Sequence, residues 1–311
     1  MAGTTTRRAR SLALLLFVAA LAFAGIAWLR DAGAWAIVKA PSYDGPTVAG
    51  PVPEDVVGVI RAEVGPPTAT LEAWILDPGD ARATTLVLHG IRDDKRSMLG
   101  VGRALRERGH RAILVDLRGH GASSGRFLTY GVVESRDLSQ LLDQLEALGL
   151  VVGPVGVYGP SYGGAVAIQA SAHDPRIRRV VSVSTFASLR EVVPPQAAFA
   201  VPWVGSYLPD VLLDAVVDDA GALGGFSPDA ADTRAAIART GAEILLIHGL
   251  DDRNVPFENA RALVEACPTS ACQLVELEHA DHPGALGHPE TLRRAVEFLT
   301  RDALARAAPP G

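Results

Sequence analysis

From Thr85 onward, short apolar runs alternate with longer stretches whose apolar positions recur at helical spacing. Thr85 to Leu88, Ala112 to Asp116, Val155 to Tyr158, Val180 to Ser184, Glu243 to Ile247 and Gln273 to Leu277 are rich in Val, Ile and Leu, as expected of strands buried on both faces. Between them the pattern predicts helices around Ser97 to Arg108, Val132 to Leu148, the Ala-rich stretch after Ser161, Phe257 to Ala266 and Pro289 to Ala307. Val56 to Val64 and Leu71 to Leu76 predict antiparallel strands ahead of this series. Such an alternation predicts an α/β protein with a mostly parallel central sheet, helices on both faces, and a site at the carboxyl ends of the strands.

The pattern breaks at the N-terminus. Ser11 to Leu29 is an uncharged run that would span about 28 Å as a helix, close to one hydrocarbon thickness. Arg7, Arg8 and Arg10 precede it and would stay in the cytoplasm, sending the chain beyond Arg30 outward. Residues 1–30 are therefore read as a membrane anchor. Ala22-Phe23-Ala24 keeps open a signal segment cleaved near Ala24, but the bulky Ile26, Trp28 and Leu29 beyond it favour the uncleaved form. Residues 31–55, with Pro41, Pro46, Pro51 and Pro53 among glycines, read as a linker, and residues 56–308 as the folded domain.

Composition narrows the function. The net charge of −6 offers no basic footprint, which excludes nucleic acid as an expected partner. Cys267 and Cys272, the only cysteines, would close a small loop in an exported domain and are expected to form a disulfide.

The chemistry concentrates where strands end. Gly159-Pro160-Ser161-Tyr162-Gly163 joins an apolar strand to an Ala-rich helix, the context in which Gly-x-Ser-x-Gly forms a nucleophile elbow. Gly159 and Gly163 let the strand and helix approach, and the helix N-terminus faces the charge that forms when Ser161 attacks a carbonyl. Leu88-His89-Gly90-Ile91 ends another strand. There the N–H of Ile91, with that of Tyr162, predicts an oxyanion hole, while His89 and Gly90 brace and turn the loop. Asp116, Arg118 and His120 are read as a hydrogen-bonded support for the site floor.

Leu-His-Gly (88 to 90), Asp-x-Arg-Gly-His-Gly-x-Ser (116 to 123), Gly-x-Ser-x-Gly (159 to 163) and His-Gly-x-x-Asp-x-x-Val-Pro (248 to 256) resemble, in this order, the α/β-hydrolase superfamily. The resemblance runs from about Thr84 to Phe298 and lies closest to its serine hydrolases: esterases, monoacylglycerol lipases and serine aminopeptidases. It implies the α/β-hydrolase fold and a serine nucleophile, an acid and a histidine base in the order Ser, Asp, His. Spacing back from Val255-Pro256 selects Asp252 as the acid, with Asp251 as runner-up. In the loop after the last strand His282, preceded by Ala280-Asp281, fits the base better than His279, and His288 is expected at the start of the last helix. Residues 186–240, too long for a simple connection, are expected to form a lid of one to three short helices. Its apolar character implies acyl or other apolar groups bound beneath, and Asp210, Asp214, Asp218 and Asp219 are read as a solvated face in preference to a site that captures a peptide amino terminus.

A serine hydroxyl is a weak nucleophile at neutral pH. His282 would take its proton during attack and return it to the leaving group, with Asp252 fixing the imidazole tautomer. This chemistry needs no metal or organic cofactor. The leading expectation is a serine hydrolase of carboxylic esters. The alternatives are a serine aminopeptidase or amide hydrolase acting on short peptides, and a non-catalytic binding protein that keeps the fold. Epoxide and haloalkane hydrolysis would need an aspartate where Ser161 stands.

Overall fold

The structure, a computed structural model, describes residues 2–47, 50–268 and 271–305, with side chains from residue 14 to residue 301. The side chains of Arg7, Arg8 and Arg10, and the expected last helical turn to Ala307, lie outside the described residues. In chain order the elements are α1 (Ala2–Val38), β1 (Gly58–Val64), β2 (Ala69–Leu76), β3 (Ala83–Leu88), α2 (Leu99–Glu107), β4 (His110–Val115), α3 (Glu134–Ala147), β5 (Val155–Pro160), α4 (Tyr162–Ser171) and β6 (Ile177–Val183). Beyond β6 come α5 (Leu189–Ala200), α6 (Asp210–Gly224), α7 (Thr233–Ile237), β7 (Glu243–Gly249), α8 (Glu258–Ala266), β8 (Cys272–Leu277), α9 (His282–Gly287) and α10 (Pro289–Ala305).

The strands form one eight-stranded sheet in the order β1-β2-β4-β3-β5-β6-β7-β8. β1 and β2 pair antiparallel, β2 meets β4 antiparallel, and every pair from β4 to β8 is parallel. Because neighbouring residues of a strand face opposite sides, each buried run feeds two cores. Leu86, Ile113, Val157, Val180 and Ile244 pack with Leu138 and Leu141 of α3, Val166 and Ile168 of α4 and Leu263 of α8. Val87, Leu114, Tyr158, Val181 and Leu245 pack on the other face with Leu105 of α2 and Val296 and Leu299 of α10. This is the α/β-hydrolase fold, with α5 to α7 as the helical insertion between β6 and β7.

The N-terminal region departs from expectation. Residues 31–55 are not a free linker: α1 continues to Val38, where Ala34 and Val38 are buried against Ala220 of α6. The prolines that suggest a stalk all lie beyond Ala40. The residues just ahead of them, from Ala32 to Val38, are uncharged and helix-compatible, so nothing ends the helix earlier. Past the helix the chain is strapped to the domain. Ser42 N–H donates to Gly119 O over 2.9 Å and Thr47 N–H to Gly121 O over 2.8 Å. Trp35, Tyr43 and Phe127 form an aromatic cluster, with the Arg126 guanidinium 4.6 Å from the Tyr43 ring centre. By length and composition, Leu14–Val38 is apolar enough to cross a membrane.

Candidate active site

Ser161 stands between β5 and α4 with φ 49° and ψ −114°, a conformation that costs a residue with a Cβ of order 1–3 kcal/mol. What holds it there is close packing. A Cβ on Gly159 would lie 2.3 Å from the Gly163 carbonyl carbon, and one on Gly163 would lie 2.5 Å from His89 O. Ser161 N–H donates to Val183 O over 2.7 Å, and the Thr185 hydroxyl donates to Ser161 O over 3.1 Å, tying the turn to the end of β6.

Asp252 follows β7 and His282 is the first residue of α9, so both emerge at the same edge of the sheet as Ser161. His282 Nδ1 donates to Asp252 Oδ2 over 2.7 Å. The other oxygen, Oδ1, accepts the N–H groups of Asn254 (3.0 Å) and Val255 (2.8 Å), so the carboxylate is fixed in rotation. The Asp252 side chain is fully enclosed. His248 contributes a role that sequence reasoning missed. Its Nε2–H donates to Val255 O over 2.8 Å and stands 3.7 Å from Asp252 Oδ2, and burial holds its pKa below the ordinary value. It pins the turn that presents Asp252.

The runners-up go elsewhere. His279 and Asp251 are both exposed, with His279 Nδ1 4.0 Å from Asp251 Oδ2. His288 caps the end of α9 just before α10, with its Nδ1 accepting from Glu290 N–H over 3.2 Å.

The loop after β3 lies against the elbow. Neither the Ile91 nor the Tyr162 N–H makes a hydrogen bond to another described residue, which leaves both free as donors. His89 Nε2 accepts from Leu117 N–H over 3.0 Å, which places its proton on Nδ1, and Nδ1–H donates to Gly90 O over 2.7 Å. His120 is arranged alike: Nε2 accepts from Arg92 N–H over 3.2 Å and Nδ1–H donates to Arg118 O over 2.9 Å. Burial lowers the pKa of both imidazoles, His120 to about 3, so both are neutral braces. Arg118 grips Asp137 bidentately at 2.7 and 2.8 Å. The Tyr162 ring is buried between His120 and Tyr130.

Sequence reasoning also missed Lys95. It is buried in the loop carrying Ile91, with its ammonium paired to Asp116 and, at 3.1 Å, to Glu72, and lying over the Trp74 ring. Asp116 also accepts Lys95 N–H (2.8 Å) and Ala122 N–H (2.7 Å), so one carboxylate joins the loops after β3 and β4. Burial raises the Glu72 carboxyl pKa, but Lys95 and Arg61 outweigh it and leave it lowered. Lys95 is one of only two lysines in the chain, but nothing near it in sequence marks it as buried.

Of the lid acids Asp210 is exposed as expected, but the others are not simply solvated. Arg190 binds Asp229 at 2.6 Å and Asp218 at 2.7 Å, with Asp214 3.7 Å away, and Arg30 of α1 holds Asp219 through two 2.7 Å bonds. Away from the site, Cys267 and Cys272 are joined by a disulfide with Cα atoms 6.2 Å apart.

Residues 79–223 match a family model described as serine aminopeptidase, S33, a range that includes Ser161 but ends before Asp252 and His282. Among solved structures, an esterase of Pyrococcus furiosus superposes with a TM-score of 0.67 at 23% identity, covering 85% of this chain and 98% of that one. A bromoperoxidase from Bacillus anthracis superposes with a TM-score of 0.55 at 21% identity, covering 79% and 100%. An uncharacterised Bacillus subtilis protein, YqkD, is 24% identical over 200 residues, 63% of each chain. The magnesium-chelatase 30 kDa subunit of Rhodobacter capsulatus is 34% identical over 129 residues, 40% of this chain and 41% of that one. The chain thus spans less than two thirds of the length of these curated relatives. Sheet order, elbow and structural neighbours agree on the α/β-hydrolase fold, and residues 79–223 are similar to the serine aminopeptidase family within it.

Proposed function

We propose that this protein is a serine hydrolase that cleaves carboxylic esters through an acyl-enzyme intermediate, held at a membrane by α1 with the hydrolase fold outside the cytoplasm. Ser161 is the nucleophile, His282 the general base and then acid, and Asp252 the residue that orients and charge-stabilises the imidazole. The N–H groups of Ile91 and Tyr162 receive the oxyanion. The observation that carries the reading is the 2.7 Å bond from His282 Nδ1 to the enclosed Asp252. With Nδ1–H committed to the acid, Nε2 is the nitrogen available to take the Ser161 proton. The tetrahedral intermediate collapses when His282 returns that proton to the alcohol, and water repeats the sequence to release the acid. An esterase among the structural neighbours supports the choice of ester. For the location, the long apolar α1 and the disulfide both suit an exported, membrane-tethered protein.

The family description favours a second reading, aminopeptidase activity, in which a lid carboxylate would pair with the free amine of a peptide. The lid acids count against it, because Arg190 engages Asp218 and Asp229, and Arg30 engages Asp219. Turnover of p-nitrophenyl esters of graded acyl length beside aminoacyl p-nitroanilides separates the two. Ester cleavage at a rate well above amide cleavage is expected, and efficient aminoacyl-amide cleavage with inert esters would reverse the assignment.

A further inference from the structure

We propose that the tip of the lid, Phe199 to Val211, docks on the bilayer that α1 enters, inserting its aromatic side chains into the leaflet next to the hydrolase domain. The proposal rests on the reading of α1 as an uncleaved anchor.

Helix α1 has two parts. From Leu14 to Trp28 its side chains are exposed all round, and from Leu29 to Val38 all but Asp31 and Ala36 pack partly or fully against the domain. The helix from Ser11, where the uncharged run begins, to Trp28 is about 27 Å long, one hydrocarbon thickness, so protein packing begins where the membrane would end. Trp28 marks that boundary.

The packed part of α1 lies along α6. A Cβ on Gly33 would stand 2.8 Å from Val216 Cγ1, and one on Gly224 would stand 3.6 Å from Val38 Cγ1. Ala34, Val38 and Ala220 share a buried cluster, and Arg30 clamps Asp219. The packing contacts advance from Gly33 and Val216 to Val38 and Gly224, with the long Arg30 side chain reaching forward to Asp219, so α1 and α6 run in the same direction. Five residues back from Val216 is Val211, and five back from Gly33 is Trp28, each about 7.5 Å towards the N-terminal end of its helix. The start of α6, and the chain that leads into it, therefore lie at the end facing the bilayer.

That chain carries a dense apolar surface. Trp203 is 88% exposed, Tyr207 83% and Val211 77%, with Phe199, Val201 and Val204 also exposed beside them. Other large exposed apolar residues outside α1 are scattered along the chain. From Val192 to Pro209 there is no charged residue. A patch with Trp and Tyr at its edge and Asp210 as its one charged residue suits the water–lipid interface, where the rings bury their apolar bodies and keep their N–H and O–H groups hydrated. Without a basic residue the attachment is by insertion rather than by charge, so zwitterionic lipid suffices and salt does not reverse it.

The test uses the full chain reconstituted in phosphatidylcholine vesicles with bromine on the acyl chains, and reads tryptophan emission. Comparing wild type with Trp203→Phe and Trp28→Phe isolates the signals of Trp203 and Trp28, two of the four tryptophans. The proposal predicts that the Trp203 component is blue-shifted, quenched by bromolipid and insensitive to high salt. A Trp203 component that is unquenched and red-shifted, on protein that floats with the vesicles and has a quenched Trp28, overturns the docking and leaves the anchor standing. A blue-shifted but unquenched Trp203 also overturns it, assigning the patch to a protein partner such as a second copy. Protein that does not float and leaves Trp28 unquenched overturns the anchor reading itself, and the docking falls with it.

Discussion

His282 Nδ1 lies 2.7 Å from Asp252 Oδ2 inside the fold, while the rival pair His279 and Asp251 faces solvent 4.0 Å apart. The two loops each offer two residues of the right type, and backbone direction decides between them. Asp252 is turned inward by the N–H groups of Asn254 and Val255, and His282 is held at the start of α9, whose cap is the Asp281 side chain accepting from Gly284 N–H.

Substitution of the two pairs should therefore give opposite results. His282→Ala should remove nearly all ester turnover, leaving what oxyanion stabilisation and binding supply, in related triads about three to four orders of magnitude over water. Asp252→Asn should retain the fold and lose turnover through the wrong imidazole tautomer. His279→Ala and Asp251→Asn should stay within about tenfold of wild type, or about 1.4 kcal/mol of barrier. Steady-state kinetics of the four variants decide it, and a reversed pattern would mean that the surface pair is the working one.

Gly163→Ala tests the fit between the elbow and the loop after β3. The added methyl would press on His89 O, 2.5 Å from the ideal Cβ position, and push the Ile91 N–H out of place. Misplacing one oxyanion donor costs about two to three orders of magnitude in kcat, so a loss of that size with little change in KM is expected. Wild-type kcat would show that the loop can shift without consequence.

Lys95→Met should be destabilising. It leaves Asp116 and Glu72 buried without their shared cation, and breaking a buried pair in this way costs about 3–5 kcal/mol. Lys95→Arg should not fully rescue, because a planar guanidinium does not match the compact site over Trp74. Urea midpoints measure both, and a midpoint unchanged in Lys95→Met would remove the pair from the stability account.

Stability should fall on mild acidification. Burial lowers the pKa of His110 to about 4, with the Arg179 charge adding to the effect, and burial lowers His120 to about 3, against an ordinary 6.5. Below pH 6.5 the unfolded chain binds protons at these positions that the folded chain refuses. The stability they contribute is thus complete above pH 6.5 and is lost as pH drops towards the folded values. Each adds a slope of about 1.4 kcal/mol per pH unit within that window. Urea midpoints between pH 7 and pH 5 should decline, and His110→Asn should decline less steeply than wild type. Equal slopes would show that His110 is protonated in the folded protein.

Much of the architecture could be read from the chain because the sheet is covered on both faces. Leu86 and Val87, or Leu245 and Leu246, are both apolar although they point to opposite cores, so a buried strand announces itself without knowledge of its neighbours. The elbow was equally legible, since only small residues fit where Gly159 meets Gly163. What could not be read depends on contacts distant in sequence. Arg30 and Asp219 are 189 residues apart, and neither the continuation of α1 onto α6 nor the strap from Ala40 to Thr47 has a local signature. Lys95 looks like any polar loop residue until Asp116 and Glu72 are folded around it. The start of α9 was a missed local signal, because Asp281 as cap and Pro283 in the first turn mark a helix.

The most direct test of the central claim is the site of covalent capture by a fluorophosphonate, which phosphonylates only a serine hydroxyl activated as a nucleophile. Mass spectrometry of the treated full-length protein should find one adduct, on the peptide bearing Ser161. That adduct should vanish in Ser161→Ala and form far more slowly in His282→Ala. Ester turnover that persists in Ser161→Ala, or a wild-type protein that hydrolyses esters yet takes up no probe at Ser161, would contradict the account.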